Sequence, residues 1–281
     1  MKKNYRLTNE LTKYIIYLFM LLITLLVIVP VYLMLINATR SNSQINAGIS
    51  FLPGNNIINN WKNLTNREFQ IVQGFQNSIF LAVSQSILVV YFSSLTAYAL
   101  HVYKFKGKKI VWGVIILVMT LPSSLSFIGF YQFVARLRLL NSYIPLIIPS
   151  IAAPAAVFFI RQYLASALSF ELIEAGRIDG AGEFYIFNRV ILPVIKPALA
   201  TQAIFAFIGS WNNFMVPFVL LSSPKKYTLP MLVQMLRGDI YRTEYGSIYL
   251  GISVSLIPII IFYIFASRYI ISGITMGSVK E

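Results

Sequence analysis

Side chains able to react or ligate are sparse in this chain: nine carboxylates, one histidine and no cysteine in 281 residues. Without thiols there is no disulfide framework, thiolate metal site or cysteine nucleophile. His101, at the end of an apolar run, has no His or Cys companion at metal-ligand spacing and reads as a solvated interfacial residue. No Gly-x-x-x-x-Gly-Lys-Ser/Thr loop is present to cradle a phosphate, so no catalytic, nucleotide or metal set can be assembled. Two polar constellations remain. In Trp211-Asn212-Asn213, amides beside an indole suit a neutral, hydroxyl-rich solute, the ring stacking on its C–H face and the amides bonding its edges; the same groups serve equally as hydrogen bonds between helices. The other is the polar stretch from Glu171 to Pro197, which carries Glu174-Ala175-Gly176, Asp179-Gly180-Ala181 and Leu192-Pro193 between long apolar runs.

Those apolar runs are the elements that must position the polar groups. A composition of 57% hydrophobic and 11% charged residues, with mean hydropathy +0.72, exceeds what a soluble core needs and defines an integral membrane protein. About 20 apolar residues cross roughly 30 Å of hydrocarbon as a helix. Such windows run from Tyr14 to Ile36, Ser78 to Leu100, Ile110 to Val134, Tyr143 to Ile160, Leu199 to Leu221 and Ser247 to Ala266. They lack the alternation of a membrane barrel, so the expected fold is an all-α membrane protein with six transmembrane helices. Met1 to Lys13 is basic, as in a secretory leader, but the run that follows is longer than a leader's core. It also carries Pro30 and large residues where a cleavage site needs small ones. It is read as a retained first span, with residues 1–13 a cytoplasmic N-terminus, 14–281 a single transmembrane domain, and 268–281 its cytoplasmic tail.

Basic residues orient the spans, because short loops rich in Lys and Arg stay on the cytoplasmic side. With both termini inside, the inner segments hold Lys2, Lys3, Arg6, Lys13, the compact Lys104, Lys106, Lys108, Lys109 cluster, then Arg161, Arg177, Arg189, Lys196, Arg268 and Lys280. The outer segments hold fewer. The net charge of +14 is thus spread over loops beside the membrane and forms no basic stripe with interleaved aromatics, which argues against nucleic acid as a partner.

None of the six windows contains Asp, Glu, Lys, Arg or His. Carriers driven by protons or sodium place such groups at mid-membrane, so any transport by this chain draws its energy from a partner. The spans offer uncharged polarity instead: Ser78, Gln85, Ser86 and Ser93 on the second, Ser123, Ser124 and Ser126 on the third, and Gln202, Ser210, Asn212 and Asn213 on the fifth. On the second, a spacing near seven puts Ser78, Gln85 or Ser86, and Ser93 on one helix face, a stripe that can line a path or pack against another helix.

The inner segment between the fourth and fifth windows, at about 35 residues, is far longer than a simple connection of roughly 2–8. Ser169 is placed as an N-cap, with Glu171 and Glu174 in the first turns where the helix dipole favours negative charge. Asp179-Gly180 breaks the helix with Gly in the left-handed conformation. A second short helix from about Ala181 to Val190, with Phe184, Phe187 and Ile191 as its apolar face, ends at Leu192-Pro193. Two angled helices make either a docking knob or an amphipathic hairpin lying on lipid headgroups.

This segment resembles the Glu-Ala-Ala loop of permease subunits of ATP-binding-cassette importers, a pattern of Glu-Ala-Ala, three residues, Gly, nine residues, Ile, one residue and Leu-Pro. Glu174-Ala175, Gly180 and Leu192-Pro193 fall at those spacings, while Gly176 replaces the second Ala and Val190 the Ile. Gly in place of Ala weakens a helix by roughly 1 kcal/mol. Asn60-Trp61-Lys62-Asn63-Leu64, Trp211-Asn212-Asn213-Phe214 and the ending Gly273-Ile274-Thr275-Met276-Gly277-Ser278-Val279-Lys280 are similar to elements of the carbohydrate branch, in particular the smaller maltose-type permease subunit. The likeness runs from residue 60 to the C-terminus.

The resemblance implies a type I ABC importer permease fold in the cell membrane, with a coupling-helix loop at 169–197 between spans 4 and 5. Glu174, Ala175, Gly176, Asp179, Gly180, Ala181, Leu192 and Pro193 would couple to a cytoplasmic ATPase dimer, whose subunits hold the ATP and Mg while this chain binds no cofactor. It also implies a second homologous permease, an extracellular solute-binding protein, and a sugar, in keeping with an oligosaccharide, passing Trp211, Asn212, Asn213 and Gln85. The Ser222 to Gly246 outer segment, with Tyr227, Pro230 and Tyr241, matches in position a loop that enters the binding protein. An importer of peptides, osmolytes or phosphodiesters would share the knob without the Trp-Asn and tail elements. A channel or membrane receptor is the alternative from another class.

Overall fold

In the computed structural model the described backbone covers residues 2–65, 70–121, 127–238 and 244–277, with side chains described at 12–65, 70–121, 127–235 and 244–265. The helices are α1 (Lys2–Asn37), α2 (Asn42–Asn46), α3 (Ile57–Leu64), α4 (Ile71–Val102), α5 (Lys108–Thr120), α6 (Phe127–Arg136), α7 (Ile144–Ile147), α8 (Pro154–Ala167), α9 (Phe170–Ile178), α10 (Glu183–Tyr185), α11 (Leu192–Val194), α12 (Lys196–Trp211), α13 (Met215–Leu220), α14 (Leu229–Gly238) and α15 (Tyr245–Gly277). A 3-10 turn at Ile148–Ile151 links α7 to α8, and a π-helical run at Ile186–Ile191 links α10 to α11. No strand occurs among the described residues.

Four described helices are long and apolar enough to cross a membrane: Thr12–Asn37, Ile71–Val102, Ile144–Ala167 and Tyr245–Phe265. A fifth results if Glu183–Val194 and Lys196–Trp211, bent by 82°, count as one. The difference from six windows falls on the third, Ile110 to Val134, which is not one helix: α5 ends at Thr120 and α6 begins at Phe127. Leu121 is extended, with φ −76° and ψ 132°, as the residue before a proline is biased to be. Ser123, Ser124 and Ser126 lie outside the described residues. The fifth window is also interrupted, because α12 stops at Trp211 and α13 starts at Met215. The Asn213 side chain there accepts the Val216 N–H at 3.3 Å and caps α13. The fourth helix runs on to Ala167, so Arg161, expected in the inner segment, stands on α8 with its guanidinium 4.0 Å over the Trp112 ring, a cation–π contact that lets a charge sit beside the span.

The chain divides into two compact units, Met1–Phe69 with Val233–Leu256 and Gln70–Leu232 with Ile257–Glu281. In the first, α1 is exposed along almost its whole apolar length, as suits a helix solvated by lipid. Its end is tied to α3 by buried Asn60, whose amide donates to the carbonyls of Ala38 at 2.9 Å and Arg40 at 3.0 Å. Gly246 is required beside it, since a Cβ there would stand 2.4 Å from the Asn60 amide nitrogen. Of the Asn-aromatic element, then, Asn60 is a clip inside this unit and Trp61 is exposed.

In the second unit α4 packs mainly against α12 and α8. One apolar cluster joins Tyr98 and Leu100 of α4, Ile160 and Leu164 of α8, and Ile173, Ile186, Phe187, Ile191 and Ile195. Another joins Leu81, Val134, Leu146, Leu220, Leu221 and Met231. A polar protrusion adjoins the first and a cavity the second.

Candidate functional site

The protrusion follows from local sequence. Ser169 has the extended backbone of an N-cap, but its hydroxyl bonds the Glu171 carboxylate and caps no N–H. Asp179-Gly180-Ala181 closes α9: Gly180 has φ +77°, Ala181 N–H donates to Gly176 O and Gly180 N–H to Arg177 O, both at 3.0 Å. These are the paired bonds of a Schellman motif, which needs the left-handed residue that Gly supplies.

The second helix corrects two expectations. It does not stop at Leu192-Pro193 but continues to Val194 and turns at Ile195 into α12. Pro193 lies inside this continued helical run, two residues after the π segment ends. Phe184 is exposed, and Ile186, Phe187 and Ile191 form the buried face instead. A π turn aligns residues five apart, which brings Ile186 over Ile191.

The two faces differ in chemistry. Glu174, Ala175, Asp179, Gly180 and Pro193 are exposed, while Gly176, Ala181 and Leu192 are half-buried. Ile178 is 85% exposed at the tip, with Phe184 and Tyr185 exposed beside it. A Cβ on Gly176 would meet Ile186 Cγ1 at 3.2 Å and Cδ1 at 3.3 Å, so the Gly found where the resembling pattern has Ala makes room for that isoleucine.

Sequence reading missed the brace across the bend. Arg177 Nε donates to Glu183 Oε1 at 2.7 Å, and the Tyr103 hydroxyl, just past α4, donates to Glu183 Oε2 at 2.6 Å. The Arg177 bond first, then that of Tyr103, holds the Glu183 carboxyl below its usual range. Burial and Glu183 push the Tyr103 hydroxyl up, so it stays a donor. The signal was available: opposite charges flank a glycine that reverses the chain.

The cavity, about 230 Å³, is lined by Ser78, Gln85, Ser150, Ser210, Asn213 and Thr228 together with Leu81, Phe130, Leu146 and prolines. Of the four predicted path residues, Gln85 and Asn213 meet here. Asn212 does not line it and is exposed. Trp211 is 1% exposed, stacked on Phe207 with centroids 5.8 Å apart and edge-on to Phe75 at 5.7 Å, so its ring is core and cannot stack on a solute in this structure. The stripe on α4 divides as well: Ser78 and Gln85 line the cavity, whereas Ser86 and Ser93, buried like Ser78, do not. Of the outer segment, Asn77 amide bonds to the carbonyls of Lys225 and Tyr227, both 2.9 Å, pin the first part to α4. Tyr227 is partly buried and packs against the second cluster. Tyr241 lies outside the described residues.

Residues 90–275, spanning the protrusion and most of the cavity lining, match the family described as binding-protein-dependent transport system inner membrane component. The chain belongs to this family. It is 33% identical over 266 residues to the arabinooligosaccharides transport system permease protein AraQ of Bacillus subtilis, covering 94% of each chain. It is 29% identical to the diacetylchitobiose uptake system permease protein NgcG of Streptomyces coelicolor, over 93% of this chain and 87% of that one. Its fold is that of a chain in the crystal structure of a bacterial ABC transporter involved in import of the acidic polysaccharide alginate, with TM-score 0.82 and 23% identity over 93% of this chain and 97% of the other. Members of such systems are membrane components, and the all-helical architecture with several apolar helices agrees.

Proposed function

We propose that this chain is the permease subunit of an ATP-driven sugar importer, forming the path together with a second permease and taking its motion from cytoplasmic ATPase subunits that bind ATP and Mg. Relatives named for arabinooligosaccharides and diacetylchitobiose support the sugar. The observation that carries the coupling is the protrusion itself: polar and apolar tip residues stand exposed while its inner face is fused into the core of the second unit. A hairpin lying on lipid would bury its apolar face in the headgroups, not in the protein.

On this reading Glu174 and Asp179 are the polar contacts and Ile178 the apolar anchor in a groove of the ATPase, with Ala175, Gly176, Gly180, Ala181, Leu192 and Pro193 setting the shape. The cytoplasmic side then holds residues 1–13, the protrusion and the tail, and an extracellular binding protein delivers the solute from the opposite side. Six crossings follow if α5 and α6 together make the third and α12 with α13 the fifth.

Glu174→Lys reverses the contact charge, and Gly180→Pro cannot adopt φ +77°. Both should abolish uptake and copurification of the ATPase while the chain still reaches the membrane. Normal uptake by both would overturn the coupling role. Uptake should also collapse on ATP depletion and survive dissipation of the ion gradient.

A further inference from the structure

Resting on the reading of the chain as a sugar-importer permease, we propose that the cavity at α4, α7, α12 and α13 holds one ring of the travelling solute, an uncharged, hydroxyl-bearing saccharide unit touched by this subunit itself. Size is the first ground. About 230 Å³ is below the roughly 300–1,000 Å³ of clefts that enclose a whole drug-sized ligand and several times the ~30 Å³ share of one water. One ring fits, and an oligosaccharide would have to pass unit by unit.

The lining supplies the second ground. Among the described residues no charged side chain contributes to it, which suits neither an acidic nor a basic solute. Thr228 is 3% exposed, and its Oγ1, like Ser210 Oγ, is buried without a hydrogen-bond partner among the described residues. Buried hydroxyls left unpaired are costly and rare. Ser78 is different, since its Oγ already accepts the Leu229 N–H at 2.9 Å. Asn213 Oδ1 is likewise engaged by Val216 N–H, which leaves its NH₂ to donate. Gln85 brings both a donor and an acceptor, and Phe130 and Leu146 give apolar surface for a C–H face.

The third ground is the break between α12 and α13 at Asn212–Phe214. Non-helical backbone at membrane depth is tolerated where it is buried in protein or lines a cavity, and Asn213 of this break does line it.

Thr228→Val keeps the side chain's shape and removes only the hydroxyl. In the complete importer, with its partner subunits and binding protein in proteoliposomes, this variant should unfold at the same or a higher temperature than the parent. Its maximal uptake of labelled arabinobiose should nevertheless fall about three- to tenfold, the loss expected for one hydrogen bond, with the half-saturating concentration unchanged. Gln85→Met should act the same way. The chain has no cysteine, so Thr228→Cys gives one labelling position. Arabinobiose or lactose at millimolar concentration should slow its modification by a thiosulfonate reagent, and glycine betaine should not. Parental uptake by both variants together with lowered stability of Thr228→Val means that the hydroxyls hold water only, and the inference falls while the importer reading stands. Absence of any sugar uptake by the parent assembly overturns both.

Discussion

Glu183 is the residue on which the shape of the protrusion turns, because it joins Arg177 of α9, its own short helix and Tyr103 at the end of α4. Its carboxyl is held below the usual range. A group with a lowered folded value stabilises above its ordinary range, about 4.3 for glutamate, and that stability is lost as pH falls through the lowered value. The side chains of Arg177 and Glu183 are 43% and 45% exposed, so salt weakens the pair and its contribution is small. Amide exchange in residues 170–185, corrected for intrinsic rates, should accelerate below about pH 4.3 in the parent protein. Glu183→Gln should exchange faster at neutral pH and lose that acid dependence. An identical pH profile for the two would remove the brace.

At the scale of elements, α9 and the π run are matched through a missing methyl group. Gly176→Ala gains up to about 1 kcal/mol of helix propensity but pushes a Cβ onto Ile186, which is fully buried and within 3.3 Å. Ile186→Ala removes both Cγ1 and Cδ1 and alone costs about 2–5 kcal/mol. Together the two should be more stable than the sum of the singles by at least ~0.5 kcal/mol, measured as thermal unfolding in a double-mutant cycle. Additivity would show that the two side chains do not meet.

The same elements explain what could be read from sequence. The first, second and sixth windows needed only long apolar runs, and α1, α4 and α15 contain them. The third is interrupted at Leu121, which the sequence places before a proline, a signal outweighed there by hydropathy. The fifth failed at Asn213, because a side-chain cap is a local polar event that a hydropathy window averages away. The bend at Gly180 was legible, since a left-handed position leaves a glycine behind. Burial of Trp211 was not, because an indole can serve a core or a sugar equally well. Thr228 was invisible because it comes to Gln85 only through the fold.

Across the molecule, α4 is the shared strut of the second unit. Its 32 residues make a rod about 48 Å long at 1.5 Å per residue, with Ser78 and Gln85 at the cavity along its first half and Tyr98 packed against the protrusion near its far end. The second half of the protrusion, Glu183–Val194, also runs into α12 as one bent pair with Ile195 at the break. Two glycines inserted after Ile195 should therefore leave the ATPases bound and hydrolysing while uptake is lost, and uptake at the parental rate would show that force takes another route. The Schellman closure at Asp179-Gly180-Ala181 has one more consequence. That turn ties the N–H groups of Asp179, Gly180 and Ala181 back onto α9, so on the proposed reading the plug is ready-made: a motor subunit would arrive late, leave and be replaced with no refolding asked of the part it grips.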